Sequence, residues 1–512
     1  MTKPSAADAA KALEFKNRGN DAIKTQDYPG AIELYTEAIK LDDTVSIYFS
    51  NRAMGHLKMD NFQSGINDCD KALEIDPKNI KAYHRRGMSY IGLLEFKNAQ
   101  KDLKIVLASK PNDATAKRGL DVCEKFIREE RFKKAIGGEE QQKVNLYLTL
   151  NLETFDSNAD LTNWTGPKLD IKQLTDKNGK PAGAEVTNMS EEFIGTMVEE
   201  YFIKSHTMPK KYAASIISHA ARLFREEPSL VELSNVETPE KKISVCGDTH
   251  GQFFDVLNIF KKYGKVSLDH TYLFNGDFVD RGSWSCEVAL LFYSLKILYP
   301  KNFYLNRGNH ETDNMNKIYG FEDECKYKYS KRIFDLFSQS FEALPLATVI
   351  NNDYLVMHGG LPSNIDSTLE DIKKIDRFAQ PPREGLFMEL LWSDPQITDG
   401  FGPSQRGLGF AFGPDITADY LKRNKLRKIF RSHEVRMGGV QFEHNDKLVT
   451  VFSAPHYCDS QGNLGGIIHV VPKNGILLQN GNDDENLIVE TFGASKHPDI
   501  KPMAYSNGGL GF

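Results

Sequence analysis

The sequence predicts a two-domain α + α/β protein, an N-terminal α-solenoid followed by a β-sandwich flanked by helices. Three observations predict it. Residues 11–112 repeat themselves at a spacing of 34. From residue 243 onward, short apolar segments run straight into polar blocks rich in Gly, Asp, His, Asn and Arg, as strands do when they end at a shared edge. At 512 residues the chain is also long enough for two or three separate cores.

Within the repeats, Gly19, Ala53 and Gly87 align, as do Tyr28, Phe62 and Phe96, then Ala31, Gly65 and Ala99, then Ala38, Ala72 and Val106. Small residues let paired helices approach closely, and the aromatic fills the turn between them. Pro77 and Pro111, with Asp43 at the matching place in the first unit, stop the second helix. This is the tetratricopeptide pattern. Three such repeats cannot close their own end, so residues 113–136 are expected to form a capping helix, with Ala116, Leu120, Cys123, Phe126 and Ile127 on its apolar face. The first helix of each repeat lines a concave groove, where the polar residues are Lys16 and Asn20, Asn51, then Lys81 and Arg85. Three cations and two amides in one groove suit a peptide's terminal carboxylate together with an acidic side chain.

Residues 137–185 form a connector with no period and no assignable function, with turns expected at 156–160 and 175–180. Residues 190–204 and 212–224 read as amphipathic helices leading into the second domain, taken as 186–490.

In that domain, strand-like segments at 243–246, 272–274, 303–305, 354–357 and 428–430 each precede a polar block. Asp248 and His250 sit two apart, so extended backbone points both the same way. Asp, His and Asn together suit divalent Mn²⁺, Fe²⁺ or Zn²⁺, and the absence of thiolates argues against a structural zinc site. Asp277 is placed to bridge two ions, which lie about 3.5–4 Å apart in two-metal hydrolases. Water between two cations becomes an effective hydroxide near neutral pH.

These blocks, GDxHG at 247–251, GDxVDRG at 276–282 and RGNHE at 307–311, resemble the three-block pattern of the PPP family of serine/threonine phosphatases. HGG at 358–360, RSHE at 431–434 and SAP at 453–455 extend the resemblance over roughly residues 190–490. With repeats in front, the chain apart from its connector resembles the tetratricopeptide-containing, fungal-type branch of that family, whose catalytic domain is a calcineurin-like metallophosphoesterase sandwich.

The resemblance implies one metal held by Asp248, His250 and Asp277, and a second held by Asp277, Asn309, His358 and His433. It implies His310 as the general acid, oriented by Asp280, and Arg281, Arg307, Arg406 and Tyr457 as ligands of the substrate phosphate. Hydroxide activated by the two metals would attack phosphoserine or phosphothreonine phosphorus directly, leaving Cys458 no part as a nucleophile. It further implies that Lys16, Asn20, Asn51, Lys81 and Arg85 clamp the acidic C-terminal tail of the Hsp90 chaperone. Phosphoproteins, chaperones and co-chaperones among them, would be the substrates. The repeats would restrain activity until the tail binds, aided by residues 491–512. One departure stands out. The family reads Ser-Ala-Pro-Asn-Tyr-Cys, where this chain has His456, which puts the loop's conformation and inhibitor sensitivity in question.

Composition sets outer bounds. With 40% hydrophobic and 26% charged residues the chain reads as soluble. No apolar run is long enough to cross a bilayer, and residues 1–8 lack the apolar stretch of a secretory leader, so no membrane partner is expected. Six scattered cysteines without a CxxC pair suit a reducing compartment, cytoplasmic and also nuclear. Residues 1–136 hold 24 Lys+Arg against 20 Asp+Glu, in a chain of net charge −6. That excess suits an acidic partner and falls well short of a nucleic-acid footprint. Two rival readings are a phosphodiesterase on the same dimetal scaffold and an adaptor with an inactive domain. The GDxVDRG and SAPxYC blocks weigh against the first, and the intact set of ligands against the second.

Overall fold

The computed structural model describes residues 4–135, 145–155, 164–236, 238, 240–471 and 486–506, so the turn expected at 156–160 lies outside the described residues. Contacts divide the chain into two compact units. One holds the repeats with the short segment Pro403–Gly409, and the other holds the described residues of 142–402 and 410–507. Among the described residues no helix is long and apolar enough to cross a membrane.

The first unit consists of paired antiparallel helices: Ala6–Lys24 (α1), Tyr28–Leu41 (α2), Ser46–Lys58 (α3), Phe62–Ile75 (α4), Ile80–Gly92 (α5), Phe96–Ser109 (α6) and Ala114–Ala135 (α7). Side-chain caps restart the chain after turns: Asp27 Oδ1 accepts from Gly30 N at 3.0 Å and Asn79 Oδ1 from Ala82 N at 3.1 Å. The aligned small residues Ala31, Ala38, Ala53, Ala72 and Ala99 are fully buried where helices cross. At Gly19 a Cβ would lie 2.7 Å from the Tyr35 ring, so the α1–α2 approach requires glycine. The cap α7 closes the array by stacking Phe126 on Phe96, ring centroids 4.2 Å apart.

The second unit contains the strands Ile171–Thr175 (β1), Pro181–Val186 (β2), Leu230–Leu233 (β3), Lys242–Cys246 (β4), His270–Phe274 (β5), Phe303–Leu305 (β6), Ala347–Ile350 (β7) and Tyr354–Met357 (β8). They continue as Asp394–Pro395 (β9), Phe401–Pro403 (β10), Phe410–Phe412 (β11), Lys428–Arg431 (β12), Val440–Glu443 (β13), Leu448–Val451 (β14), Gly465–Val470 (β15) and Leu487–Phe492 (β16). A six-stranded sheet runs β13-β14-β12-β8-β7-β3 and a five-stranded sheet β16-β15-β4-β5-β6; β9, β10 and β11 form a small third sheet. The connector supplies the antiparallel hairpin β1–β2, turned where Asp176 Oδ1 accepts from Asn178 N and Lys180 N at 2.8 and 2.9 Å.

The two large sheets pack face to face. Ile243, Val245, Leu273 and Ile468 of one meet Tyr354, Val356, Phe430 and Val449 of the other in one buried cluster. Alternation along the strands sends Cys246, Tyr272 and Phe274 to the opposite face. There they join helices Lys210–Glu226, Ser285–Leu298 and Lys331–Phe341 in the largest core of the unit. Strands β4, β5 and β6 are mutually parallel, as are β8, β12 and β14, so within each set the carboxyl ends lie at one edge. Every polar block that the sequence places after a strand therefore arrives at such an edge.

Candidate functional site

Six strand ends build the site. Asp248 and His250 follow β4, Asp277, Asp280 and Arg281 follow β5, and Arg307, Asn309 and His310 follow β6. His358 follows β8, His433 follows β12 and Tyr457 comes after β14. Each of these side chains is buried. Their backbone is unusual: His250, Asp277, Asp280, Arg281 and His433 all have positive φ, between 39° and 71°. Non-glycine residues hold this strained region only where the surroundings over-determine it, and such residues gather at functional sites.

Asp277 is the hub. The ligand atoms of His250, Asp277 and His310 lie within 4.8 Å of one another, and so do those of Asp277, His358 and His433. Asp248 Oδ2 and Asp277 Oδ2 each stand 3.7 Å from His250 Nε2. Hydrogen bonds behind the ligands fix which ring nitrogen faces inward. His250 Nδ1 donates to Val279 O at 3.1 Å and His358 Nδ1 to Asn275 O at 2.8 Å, so each Nε2 carries a lone pair. His358 Nε2 then faces Asn309 Oδ1 at 2.9 Å and Asp277 Oδ2 at 3.2 Å. One imidazole nitrogen and two oxygens thus face one another, a donor set that suits a divalent cation.

Electrostatics agree. Burial, reinforced by nearby Asp277, pushes the Asp248 carboxyl up to about 7 and Glu311 up to about 8. Burial also holds His250 and His358 below the ordinary imidazole value, which keeps them neutral. Crowded carboxylates beside neutral imidazoles fit divalent metal ions.

His310 is set apart from the ligands by its partner. Its Nδ1 donates to Asp280 Oδ2 at 2.9 Å, which leaves Nε2 as the working atom. Asp280 is held in turn by Asn316 Nδ2 at 3.0 Å and Phe321 N at 3.0 Å, and burial lifts its carboxyl to about 7. Arg281 lays its guanidinium over the Tyr319 ring, 4.1 Å from the centroid. Arg307 is wholly buried: Nε donates to Glu311 O at 3.0 Å and Nη1 to Ala379 O at 2.9 Å, while Nη2 has no hydrogen-bond partner among the described residues. Tyr457 sits with its ring 5.1 Å from that of His250. Arg406 is buried on Pro403–Gly409, the segment grouped with the first unit, and its N–H donates to Ser404 Oγ at 3.1 Å. The other expected phosphate and metal residues all belong to the second unit.

Sequence reading passed over Glu311, although it lies inside the RGNHE block. Its carboxylate accepts from Asp277 N, Phe278 N and Gly308 N at 2.8, 3.0 and 2.8 Å, tying two ligand loops together. Asn275 does similar work from the FNGD run, donating to Met357 O at 2.7 Å and Ser432 Oγ at 2.9 Å. His456 is exposed, and its Nδ1 donates to Gln461 O at 2.8 Å.

In the first unit, the five clamp residues fall on α1, α3 and α5. Asn20 Oδ1 accepts from Tyr35 Oη at 2.8 Å and from Asn51 Nδ2 at 3.0 Å. Arg85 Nη1 donates to Ser50 O and, at 3.3 Å, to Asn51 Oδ1. Lys81 and Arg85 help line a cavity of about 260 Å³ whose apolar wall includes Met54, Leu57 and Met88.

The family model described as calcineurin-like phosphoesterase matches residues 241–437, and one described as PPP5 TPR repeat region matches residues 120–232. Serine/threonine-protein phosphatase T of Saccharomyces cerevisiae is 69% identical over 512 residues, covering the whole of both chains. Serine/threonine-protein phosphatase 5 of Homo sapiens is 41% identical over 506 residues, covering 99% of this chain and 95% of that one. A solved structure of a Saccharomyces cerevisiae protein serine/threonine phosphatase, with similarity to human phosphatase PP5, superposes at a TM-score of 0.60 with 75% identity. It covers 62% of this chain and 100% of its own.

Proposed function

The chain belongs to the family of serine/threonine-protein phosphatases that includes phosphatase T and phosphatase 5, and on that premise we propose how its residues divide the work. Asp248, His250 and Asp277 would hold one divalent cation, and Asp277, Asn309, His358 and His433 a second. Manganese, or iron with zinc, suits this oxygen and nitrogen donor set. When bound, such a pair supplies the charge that activates water and draws the phosphate in. The observation that carries this reading is His358 Nε2 facing Asn309 Oδ1 at 2.9 Å and Asp277 Oδ2 at 3.2 Å.

His310 delivers a proton from Nε2 to the departing seryl or threonyl oxygen, and Asp280 at Nδ1 favours the protonated, correctly turned ring. Arg281, Arg307 and Tyr457 donate to the phosphate oxygens; the Arg307 Nη2, which has no hydrogen-bond partner among the described residues, supports this.

The repeat groove takes an acidic peptide with a free terminal carboxylate, of the kind the Hsp90 tail presents. Three cations and two amides support this, and the apolar wall of Met54, Leu57 and Met88 adds a place for an aliphatic side chain. Tail binding would also relieve a restraint that the repeats place on catalysis.

One experiment separates the modules. Asp277→Asn should abolish metal-dependent phosphopeptide hydrolysis and leave calorimetric binding of the tail peptide intact, whereas Arg85→Ala should weaken that binding about tenfold or more. Loss of both activities in Asp277→Asn would sink the two-module reading. A wild-type rate indifferent to saturating tail peptide would remove the restraint.

A further inference from the structure

Residues 493–506 lie as a strap along the loops that carry Arg281 and Tyr457. Ser495 N donates to Asp255 Oδ1 at 2.6 Å, and Ile500 packs against the largest core. His497 stands 5.2 Å from the Trp284 ring, centroid to centroid, with Nε2 3.2 Å from Asp459 Oδ1 on the loop after Tyr457. The tightest fastening follows. Ser283 Oγ donates to Lys501 O at 2.6 Å and accepts from Ala504 N at 3.1 Å, and Met503 N donates to Arg281 O at 3.0 Å. Tyr505 then packs against the Tyr327 ring, with Lys328 Nζ 4.9 Å from the Tyr505 centroid. Lys328 Nζ in turn donates to Ser283 O at 2.8 Å.

The loop being fastened is under strain. Arg281 holds a φ of 67° with a full side chain, and its N–H donates to Tyr319 O at 3.0 Å while its guanidinium stacks on that ring. Tyr319 fixes one side of the residue and the strap fixes the other, through the Arg281 carbonyl and the Ser283 hydroxyl two residues on. A backbone held this way from both sides cannot relax out of the left-handed region, and the direction of its side chain is set accordingly.

We propose that residues 501–504 are a positioning element for the phosphate: through Arg281 O and Ser283 Oγ they keep the Arg281 guanidinium aimed at the phosphate oxygens. This rests on the reading of Arg281 as a phosphate ligand. Its sign is opposite to the expectation that residues 491–512 help restrain the enzyme, since this part of the segment completes the binding site.

Ser283→Ala removes both strap bonds to that hydroxyl without altering Arg281 or any metal-binding residue, and Ser283→Thr keeps the hydroxyl. In the full chain with Mn²⁺, Ser283→Ala should raise both the KM for a phosphopeptide and the inhibition constant of inorganic phosphate. The expected rise is roughly three- to tenfold, with kcat on an aryl phosphate changed less than about twofold. Ser283→Thr should restore both constants, and a chain ending at Ile500 should reproduce or exceed the Ala phenotype. Unchanged constants in Ser283→Ala overturn the proposal whatever happens to Tm, as does a lower KM in the shortened chain. Arg281→Ala separates the two levels. If it weakens phosphate inhibition while Ser283→Ala does not, only the strap is wrong; if it has no effect, the phosphate reading itself has failed.

Discussion

His310 and Asp280, joined at 2.9 Å, are where the chemistry is most exposed to test. A proton donor matters in proportion to how poor the leaving group is. His310→Asn should therefore slow hydrolysis of an alkyl phosphate about 10²-fold or more while affecting a nitrophenyl ester far less; equal losses on both would take His310 out of the acid role. At this scale the sequence was most informative where the side chain itself does the work. Asp248, His250, Asp277, Asn309 and His358 each announce themselves by type and by a neighbouring glycine. Glu311 and Asn275 escaped because they act through backbone amides, carbonyls and a serine hydroxyl of other loops, which no local pattern encodes. The positive φ of His250, Asp277 and Arg281 was equally hidden, since sterics alone would assign those conformations to glycine.

Among elements, the repeats were legible as far as their apolar columns went. The same spacing also carries Arg52 with Arg86 and Asp68 with Asp102, which reading by charge alone treats as solvated surface. In the structure each arginine forks onto its aspartate, Arg52 at 2.8 and 2.6 Å and Arg86 at 2.7 and 2.8 Å. The hairpin β1–β2 was not foreseen either, because a lone pair of strands in a polar connector lacks a strong apolar alternation. Strand interiors hold a third surprise. Ser244 Oγ on β4 bonds His270 Nε2 at 2.6 Å and His469 Nδ1 at 2.7 Å, and His469 Nε2 stands 3.0 Å from Glu490 Oε2. Burial, then Lys242, holds His270 down to about 3 and His469 to about 4, against an ordinary 6.5. Both stay neutral in the fold while the unfolded chain takes up protons below 6.5, so their stability is complete above that value and drains away as pH falls toward 4. Thermal melts between pH 7 and 5 should show this slope, and His469→Gln should flatten it. A variant slope equal to wild type would mean the network does not titrate as described.

For the whole molecule, two kinds of legibility meet in one chain. The 34-residue period identifies a module from repetition alone, without any chemistry, whereas the catalytic unit is recognised from chemistry with almost no repetition. Arg406 shows the limit of both. The family resemblance groups it with Arg281, Arg307 and Tyr457, yet its segment Pro403–Gly409 packs as part of the first unit. Three-dimensional grouping of that kind leaves no trace in spacing.

The proposed metal ligands are drawn from residue 248 through residue 433, on the strand ends of two different sheets. Bound cations would thus act as staples between chain segments far apart in sequence, and their loss should be felt as loosening rather than as a missing reagent. A chelator should lower the melting transition of the catalytic unit by roughly 5–10 °C and speed its digestion by protease, while the transition of the repeats stays where it was. Coincident shifts in both would show that the staples hold more than the sandwich.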